Sequence, residues 1–253
     1  MNSDNEEAVM PGDTPAGLED VRVLAFDIFG TTVDWYTGVT DQVGAVFARR
    51  GVDLDPAAFA ESWRDLYVPG MTRVNNGETP WAYLDTVHRE SLDTLLAEHG
   101  VGGEFGEDDR REMVLAWHHL PAWPDSAQAV AKLRERYTVV ALSNGGFALL
   151  ATLLKQAGLS FDAIISVELA RVYKPAPAAY RTAVDLMDVR PEQMLMVAAH
   201  RWDINGARAA GLRTAFLERP QEKGPARAAD RAADTVCDLA ASSASELAVK
   251  LGC

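Results

Sequence analysis

Five short runs of apolar and β-branched residues, separated by very unequal stretches, limit what this chain can fold into. They are VRVLAF (21–26), TVVALS (138–143), AIISV (163–167), MLMVAA (194–199) and RTAFL (213–217). Each is bounded by turn residues or followed by a helix-like stretch. Short, nearly continuous apolar runs of this kind suit parallel strands covered on both faces and joined by right-handed crossovers. The expected fold class is α/β, a doubly wound parallel sheet.

About 110 residues separate the first run from the second, far more than one crossover needs. Within that interval DQVGAVFARR, PAAFAESWRDLY, PWAYLDTVHRESLDTLLAEHG and EDDRREMVLAWHH place apolar residues three and four apart, the period of helices with one buried face. Pro56 and Pro80 suit early helix positions, and Gly51 and Gly100 suit helix ends. The expected organisation is an acidic, solvated tail at 1–19, an α/β core built from 20–36 and 119–253, and a helical cap inserted at 37–118. Gly and Pro near WYTG (35–38) and HHLPAWP (118–124) mark the expected hinges of the cap.

The 253 residues carry 37 acids against 24 Lys and Arg, a net charge of -13, which disfavours nucleic acid and anionic membranes as partners. Six acids (Asp4, Glu6, Glu7, Asp13, Glu19, Asp20) and no base fall in the first 20 residues. An anionic small molecule remains a fitting ligand if its cleft is locally basic. No apolar run approaches the roughly 20 residues that span a bilayer, and the first residues lack the basic flank and apolar middle of a signal peptide. A cytoplasmic location is expected. Cys237 and Cys253 have no metal-ligand spacing and read as incidental thiols.

Ligands of an open parallel sheet bind at the carboxyl ends of its strands, near the point where strand order reverses. Asp27 ends the first run, and Ser143 with Asn144 ends the second. VYKPAPAAY brings Lys174 and Tyr180 after the third, and AAHRWD brings His200, Trp202 and Asp203 after the fourth. Singly, each has an ordinary reading: a cap or turn for Asp27, Ser143 and Asn144, a loop lysine for Lys174, core packing for Trp202 and a hydrogen-bonded structural ring for His200. Together they converge on one crevice.

With those stretches side by side, DIFGTTVDW, LSNGG, YKP and AAHRWDINGARAAGL resemble the four motifs of the haloacid dehalogenase superfamily, over nearly the whole chain beyond the tail. The resemblance implies a nucleophilic aspartate, Asp27, that forms a covalent intermediate. Phosphatases of the superfamily place a second Asp two residues after the nucleophile and another acid four residues before the last Asp. Here those positions are Phe29 and Ala199. Halide needs no protonation to leave, and Mg2+ is usually bound by carboxylates and water. The pattern therefore looks like the type II 2-haloacid dehalogenases, which convert short 2-haloalkanoates such as haloacetate or 2-halopropionate into 2-hydroxyalkanoates through an aspartyl ester, with no metal and no cofactor. Relatives of this kind are commonly homodimers.

By that resemblance Asp27 attacks carbon, Lys174 keeps it ionised, Asp203 activates or orients water, and Thr31 and Ser143 place the carboxylates. Asn144 donates to the departing halide, while Ile28, Phe29, Tyr180 and Trp202 shape the substrate pocket. Two departures stand out. The family's cap arginine aligns with Leu66, leaving either Arg64 or Tyr67 on a neighbouring face to serve, or an apolar narrowing by Leu66 itself. The fourth motif carries Ala198 and His200 where the family has serine and asparagine. His200 then either orients water or donates to halide, or it holds Asp203 or a backbone carbonyl from behind. Two rival functions remain on the sequence: an Mg2+-dependent phosphatase of the same superfamily, and a non-catalytic anion-binding relative.

Overall fold

The computed structural model describes residues 15–253. The chain enters through β1 (Val23–Phe26) and then leaves the sheet for five helices, α1 (Trp35–Arg50), α2 (Pro56–Asp65), α3 (Tyr67–Asn75), α4 (Leu84–Glu98) and α5 (Glu107–Leu115). It returns through α6 (Ser126–Leu133), β2 (Thr138–Ser143), α7 (Phe147–Gln156), β3 (Ala163–Ser166), α8 (Pro177–Leu186), β4 (Met194–Ala198) and α9 (Arg201–Ala209). It ends with β5 (Arg213–Leu217), β6 (Leu239–Ala241) and α10 (Ala244–Lys250). The strands form one sheet in the order β3-β2-β1-β4-β5-β6, all parallel. This is the doubly wound α/β fold expected, with a helical cap inserted after the first strand.

Both faces of the sheet are covered, which is why the strand runs are apolar throughout. Along β1, Leu24 and Phe26 join one core with Leu133, Val197 and Leu247. Val23 and Ala25 point the other way, into a core with Leu142, Met196, Tyr180 and Ile204. Chain order reverses between β1 and β4, so the ends of these two strands open a crevice between diverging connections. A third core fills the cap and reaches down to Ile28 and Phe29.

Several expectations need correction. The sixth strand went unseen because Leu239–Ala241 is three residues long and has no β-branched side chain. Helix α3 was hidden by Pro69 and Gly70, yet Pro69 lies in the first turn, where a missing N–H costs little. Gly70 is there for closeness: a Cβ would come within 2.5 Å of Val87 Cγ1 on α4. Pro80 begins no helix, since α4 starts at Leu84. WYTG is the first turn of α1 rather than an irregular link, N-capped by Asp34 accepting from Thr37 N at 3.0 Å. Gly38 lets that turn press on the returning chain, 2.8 Å from Leu120 Cδ2 for an added Cβ.

Asp4, Glu6, Glu7 and Asp13 of the expected tail lie outside the described residues. At its near end the expectation of a solvated tail is wrong, because Leu18 is 1 % exposed and packs under the sheet with Leu24, Val130 and Leu247. Among the described residues no helix is long and apolar enough to cross a membrane. Leu18→Ala is expected to lower unfolding free energy by about 2–4 kcal/mol, as deletion of a buried leucine does; urea titration of the two proteins checks this.

Candidate active site

Asp27 follows β1 directly, and its N–H donates to Val197 O at 2.9 Å, so the sheet fixes its backbone. The chain then turns through Gly30 at φ 84, a left-handed conformation that favours glycine. Thr31 comes back over the strand end: its Oγ1 donates to Asp27 Oδ2 at 2.8 Å and accepts from Ala199 N at 2.9 Å. Arg219, ion-paired to Asp125, pins the turn from outside by donating to Thr31 O at 2.9 Å.

Opposite Asp27 stands Lys174, 0 % exposed, with Nζ 2.9 Å from Asp27 Oδ1, 2.5 Å from Asp203 Oδ2 and 3.0 Å from Leu142 O. Its three donors are thus used on two carboxylates and a strand-end carbonyl. Burial alone raises the Asp27 carboxyl, but Lys174 and then His200 outweigh it and hold the group well below the usual carboxylate range. Asp203 goes the other way: complete burial and the neighbouring Asp27 charge raise it despite Lys174. Burial works against the Lys174 charge too, yet the two acids prevail and raise its pKa. Two carboxyls pushed apart in this way leave one ionised and the other readier to take up a proton. Tyr180 donates to Asp203 Oδ1 at 2.6 Å, and burial raises its phenol so that it stays a neutral donor.

His200 sits between two acids. Its Nδ1 is 3.2 Å from Asp27 Oδ2, an ion contact without aligned hydrogen-bond geometry. Its Nε2 is 3.3 Å from Glu222 Oε1. Burial depresses the ring, but Glu222 and Asp27 more than compensate and lift its pKa to about 9. Glu222, itself buried, is brought down to about 2: burial raises it, and His200, Arg64 and the 2.5 Å bond from Trp35 Nε1 lower it further.

A cavity of about 330 Å³ opens beside this cluster, lined by Trp35, Arg64, Tyr67, His200, Trp202 and Glu222 among others. Asp27, 4 % exposed, is not on its wall, although its neighbour His200 is. The Arg64 guanidinium lies over the Tyr67 ring at 4.2 Å and near Trp35 at 5.3 Å, and its buried Nη1 has no hydrogen-bond partner among the described residues. Arg227, on the loop after β5, clasps the cap across the mouth, 2.9 Å from Glu61 and 2.7 Å from Asp65 of α2.

Asp27, Thr31, Lys174, Tyr180, His200 and Asp203 therefore come together as expected from their strand ends. Asn144 lies one layer out, accepting from Lys174 N at 2.8 Å and donating to Tyr67 Oη at 3.1 Å. Ser143 Oγ only accepts from Gly145 N, at 3.2 Å, which is its turn-forming role. Ile28 and Phe29 are corrected from pocket wall to core, Phe29 edge-on to Trp117 at 6.2 Å. Tyr180 is likewise behind Asp203 rather than on the cavity wall. Of the readings for His200, contact is with Asp27 and Glu222, not Asp203. Leu66 is corrected as well: it lines a separate groove with Arg73 and Glu90, while Arg64 and Tyr67 face the cleft. Glu222 and Trp35 were missed. The only signal for Glu222 was its place in a loop after a strand end.

A sequence profile for haloacid dehalogenase-like hydrolases matches residues 21–211. The chain belongs to that family. Among members of this hydrolase family, the (S)-2-haloacid dehalogenase 1 of Pseudomonas sp. (strain CBS-3) is 30% identical over 214 residues, 81% of this chain and 89% of that one. The solved structure of a defluorinating L-2-haloacid dehalogenase designated Rha0230 superposes with a TM-score of 0.91 at 37% identity, covering 96% of this chain and 100% of that one. The L-2-haloacid dehalogenase of Xanthobacter autotrophicus, solved with chloropropionic acid covalently bound, gives 0.76 at 26% identity over 90% and 97%. The resemblance of the four motifs to type II enzymes is thus borne out.

Folding raises the His200 pKa, so the stability it confers is complete below about pH 6.5 and is lost as pH climbs to about 9. The difference in urea stability between the wild-type chain and His200→Gln is expected to shrink over that window, by on the order of 1–3 kcal/mol.

Proposed function

We propose that this hydrolase cleaves the carbon–halogen bond of short 2-haloalkanoates, through an ester on Asp27 and without a divalent cation. One observation carries the reading: the Lys174 ammonium fills the space between Asp27 and Asp203. Phe29 and Ala199 add no carboxylate there, so the residues present do not fit a Mg2+ site. An ammonium in that place suits displacement of a halide, which departs as a stable anion, better than phosphoryl transfer, whose charged oxygens call for metal clamping. Covalent attachment of chloropropionic acid, as in the Xanthobacter relative's structure, is of the kind this reading requires.

In the proposed reaction the ionised Asp27 attacks C2 from behind, halide leaves with its electron pair, and configuration inverts. Water then adds to the carbonyl carbon of the ester and gives its proton to Asp203, whose raised pKa suits it to accept. Lys174, touching both Asp27 Oδ1 and Asp203, passes a proton to the departing alkoxide oxygen, and Asp203 reprotonates the lysine. The second water proton goes to solvent with the restored carboxylate. Arg64 supplies a cation on the cap side of the cleft: its Nη1, unpartnered among the described residues, offers an N–H to the anionic substrate, the role the resemblance gives to the cap arginine.

Rate and label measurements test this. Haloacetates and 2-halopropionates, fluoroacetate included because a similar enzyme is described as defluorinating, are expected to release halide in excess chelator. Strict dependence on added Mg2+ would end the proposal. In a single turnover in oxygen-18 water, label is expected in Asp27 and not in product, and Asp27→Asn is expected to abolish halide release while keeping the fold by circular dichroism. Arg64→Leu, which removes a charge-assisted hydrogen bond, is expected to raise KM roughly 10–100-fold; an unchanged KM would place substrate binding elsewhere.

A further inference from the structure

Glu222 is a carboxylate 3 % exposed in a loop with no regular structure, and the reaction above gives it nothing to do. Its surroundings are nonetheless specific. Trp35 Nε1 on the cap donates to Oε1 at 2.5 Å, and His200 Nε2 lies 3.3 Å from the same oxygen. The turn after the nucleophile makes room for it, since a Cβ on Gly30 would sit 2.7 Å from Glu222 Oε1. Trp202 stacks on the imidazole at 5.5 Å and 23°, holding the plane of a ring that has Nε2 3.3 Å from Glu222 Oε1 and Nδ1 3.2 Å from Asp27 Oδ2.

Both ring nitrogens face carboxylate oxygens, so a neutral imidazole would turn a lone pair toward an anion; only the doubly protonated ring suits both neighbours. Other charges also face His200. Lys174 and Asp203 stand beyond Asp27, Arg64 lies across the cavity on α2, and Asp230 borders the same cavity with Arg201 and Lys223. These are mixed in sign, which leaves the two carboxylates in contact as the main stabilisers of the imidazolium.

We propose that Glu222 is a positioning residue that keeps His200 an imidazolium while Asp27 is esterified, so that Nδ1–H and Thr31 Oγ–H together hold the negative charge that develops on Asp27 Oδ2. The inference rests on the dehalogenase reading and concerns its second half. In the free enzyme Oδ2 accepts from Thr31 Oγ1 at 2.8 Å and has His200 Nδ1 at 3.2 Å, whereas Oδ1 faces Lys174, so Oδ1 forms the bond to substrate carbon and Oδ2 becomes the ester carbonyl oxygen, toward which Nδ1–H aligns as charge develops. When water bonds to the carbonyl carbon, the π pair moves onto Oδ2. On collapse that pair returns, the bond from carbon to Oδ1 breaks, and Oδ1 leaves with the hydroxyacid, carrying the proton from Lys174. Donors aimed at an oxygen that gains charge form an oxyanion hole.

Esterification is what makes Glu222 necessary. The free enzyme gives His200 two counter-ions, but the ester is neutral, and among the described residues Glu222 is then the one carboxylate still touching the ring. The two half-reactions also respond oppositely. An imidazolium beside a free carboxylate damps its attack on carbon, while beside an ester it hastens attack by water. The low pKa of Glu222 and the high one of His200 accord with this division.

Glu222→Gln, with (S)-2-chloropropionate as probe, separates the steps. Rapid-quench assays are expected to show a chloride burst at least equal to wild type, with ester hydrolysis slowed roughly tenfold or more and the ester accumulating on the intact protein by mass spectrometry. The alkaline limb of hydrolysis is expected to move down by about one pH unit or more, and Glu222→Asp, which keeps the charge, is expected to restore most of it. Burst and hydrolysis falling together with an unmoved alkaline limb, or Glu222→Asp behaving like Glu222→Gln, would reduce Glu222 to a packing residue and overturn the proposal. A wild-type chain that frees no chloride at all would instead remove the dehalogenase reading beneath it.

Discussion

One buried ammonium organises this molecule. Lys174 is sealed from solvent, and its charge is tolerable there because Asp27 and Asp203 lie on either side and Leu142 O takes the remaining proton. Removing one member of such a group leaves an uncompensated charge in the interior, a cost of several kcal/mol. The same constraint sets the chemistry. It keeps Asp27 ionised, leaves Asp203 readier to accept a proton, and puts a positive charge between the two acids. Fold and reactivity therefore lean on the same three side chains, and these arrive from three different connections at the reversal of strand order.

Around that centre the site is built in two halves. The core contributes the reacting groups on short turns anchored by backbone bonds, such as Asp27 N to Val197 O. The cap contributes an aromatic wall with a cation against it, Arg64 lying over Tyr67 and near Trp35. Trp35 belongs to both halves, since its ring helps line the cleft while its indole N–H reaches Glu222. A small anion entering this cleft therefore meets the cap's Arg64 and, beside it, the cluster around Asp27.

Much of this was legible in the sequence wherever a local pattern carried the information. Five of the six strands declare themselves as apolar runs because both sheet faces are covered, and the residues just after them are reactive because strand ends converge. Asp27, Lys174, Asp203 and His200 could all be found that way. What escaped depended on distant packing. Glu222 sits in an irregular loop, and its partners, Trp35 and His200, are far away in sequence. Leu18 looks like part of a charged tail until the sheet's underside is seen to need a cover. Alignment placed Leu66 at the cleft, but a helix break after Asp65 and the start of α3 at Tyr67 turn Leu66 outward and bring Arg64 in. Side-chain direction on short, broken helices is a tertiary property.

The clasp formed by Arg227 with Glu61 and Asp65 has a further consequence. These ion pairs lie at the rim, where dissolved salt weakens them far more than it weakens the sealed triad below. The proposed dehalogenation would liberate a mobile anion and acid for each molecule consumed. Rising ionic strength thus frees the doorway first and leaves the sealed ions behind it nearly untouched.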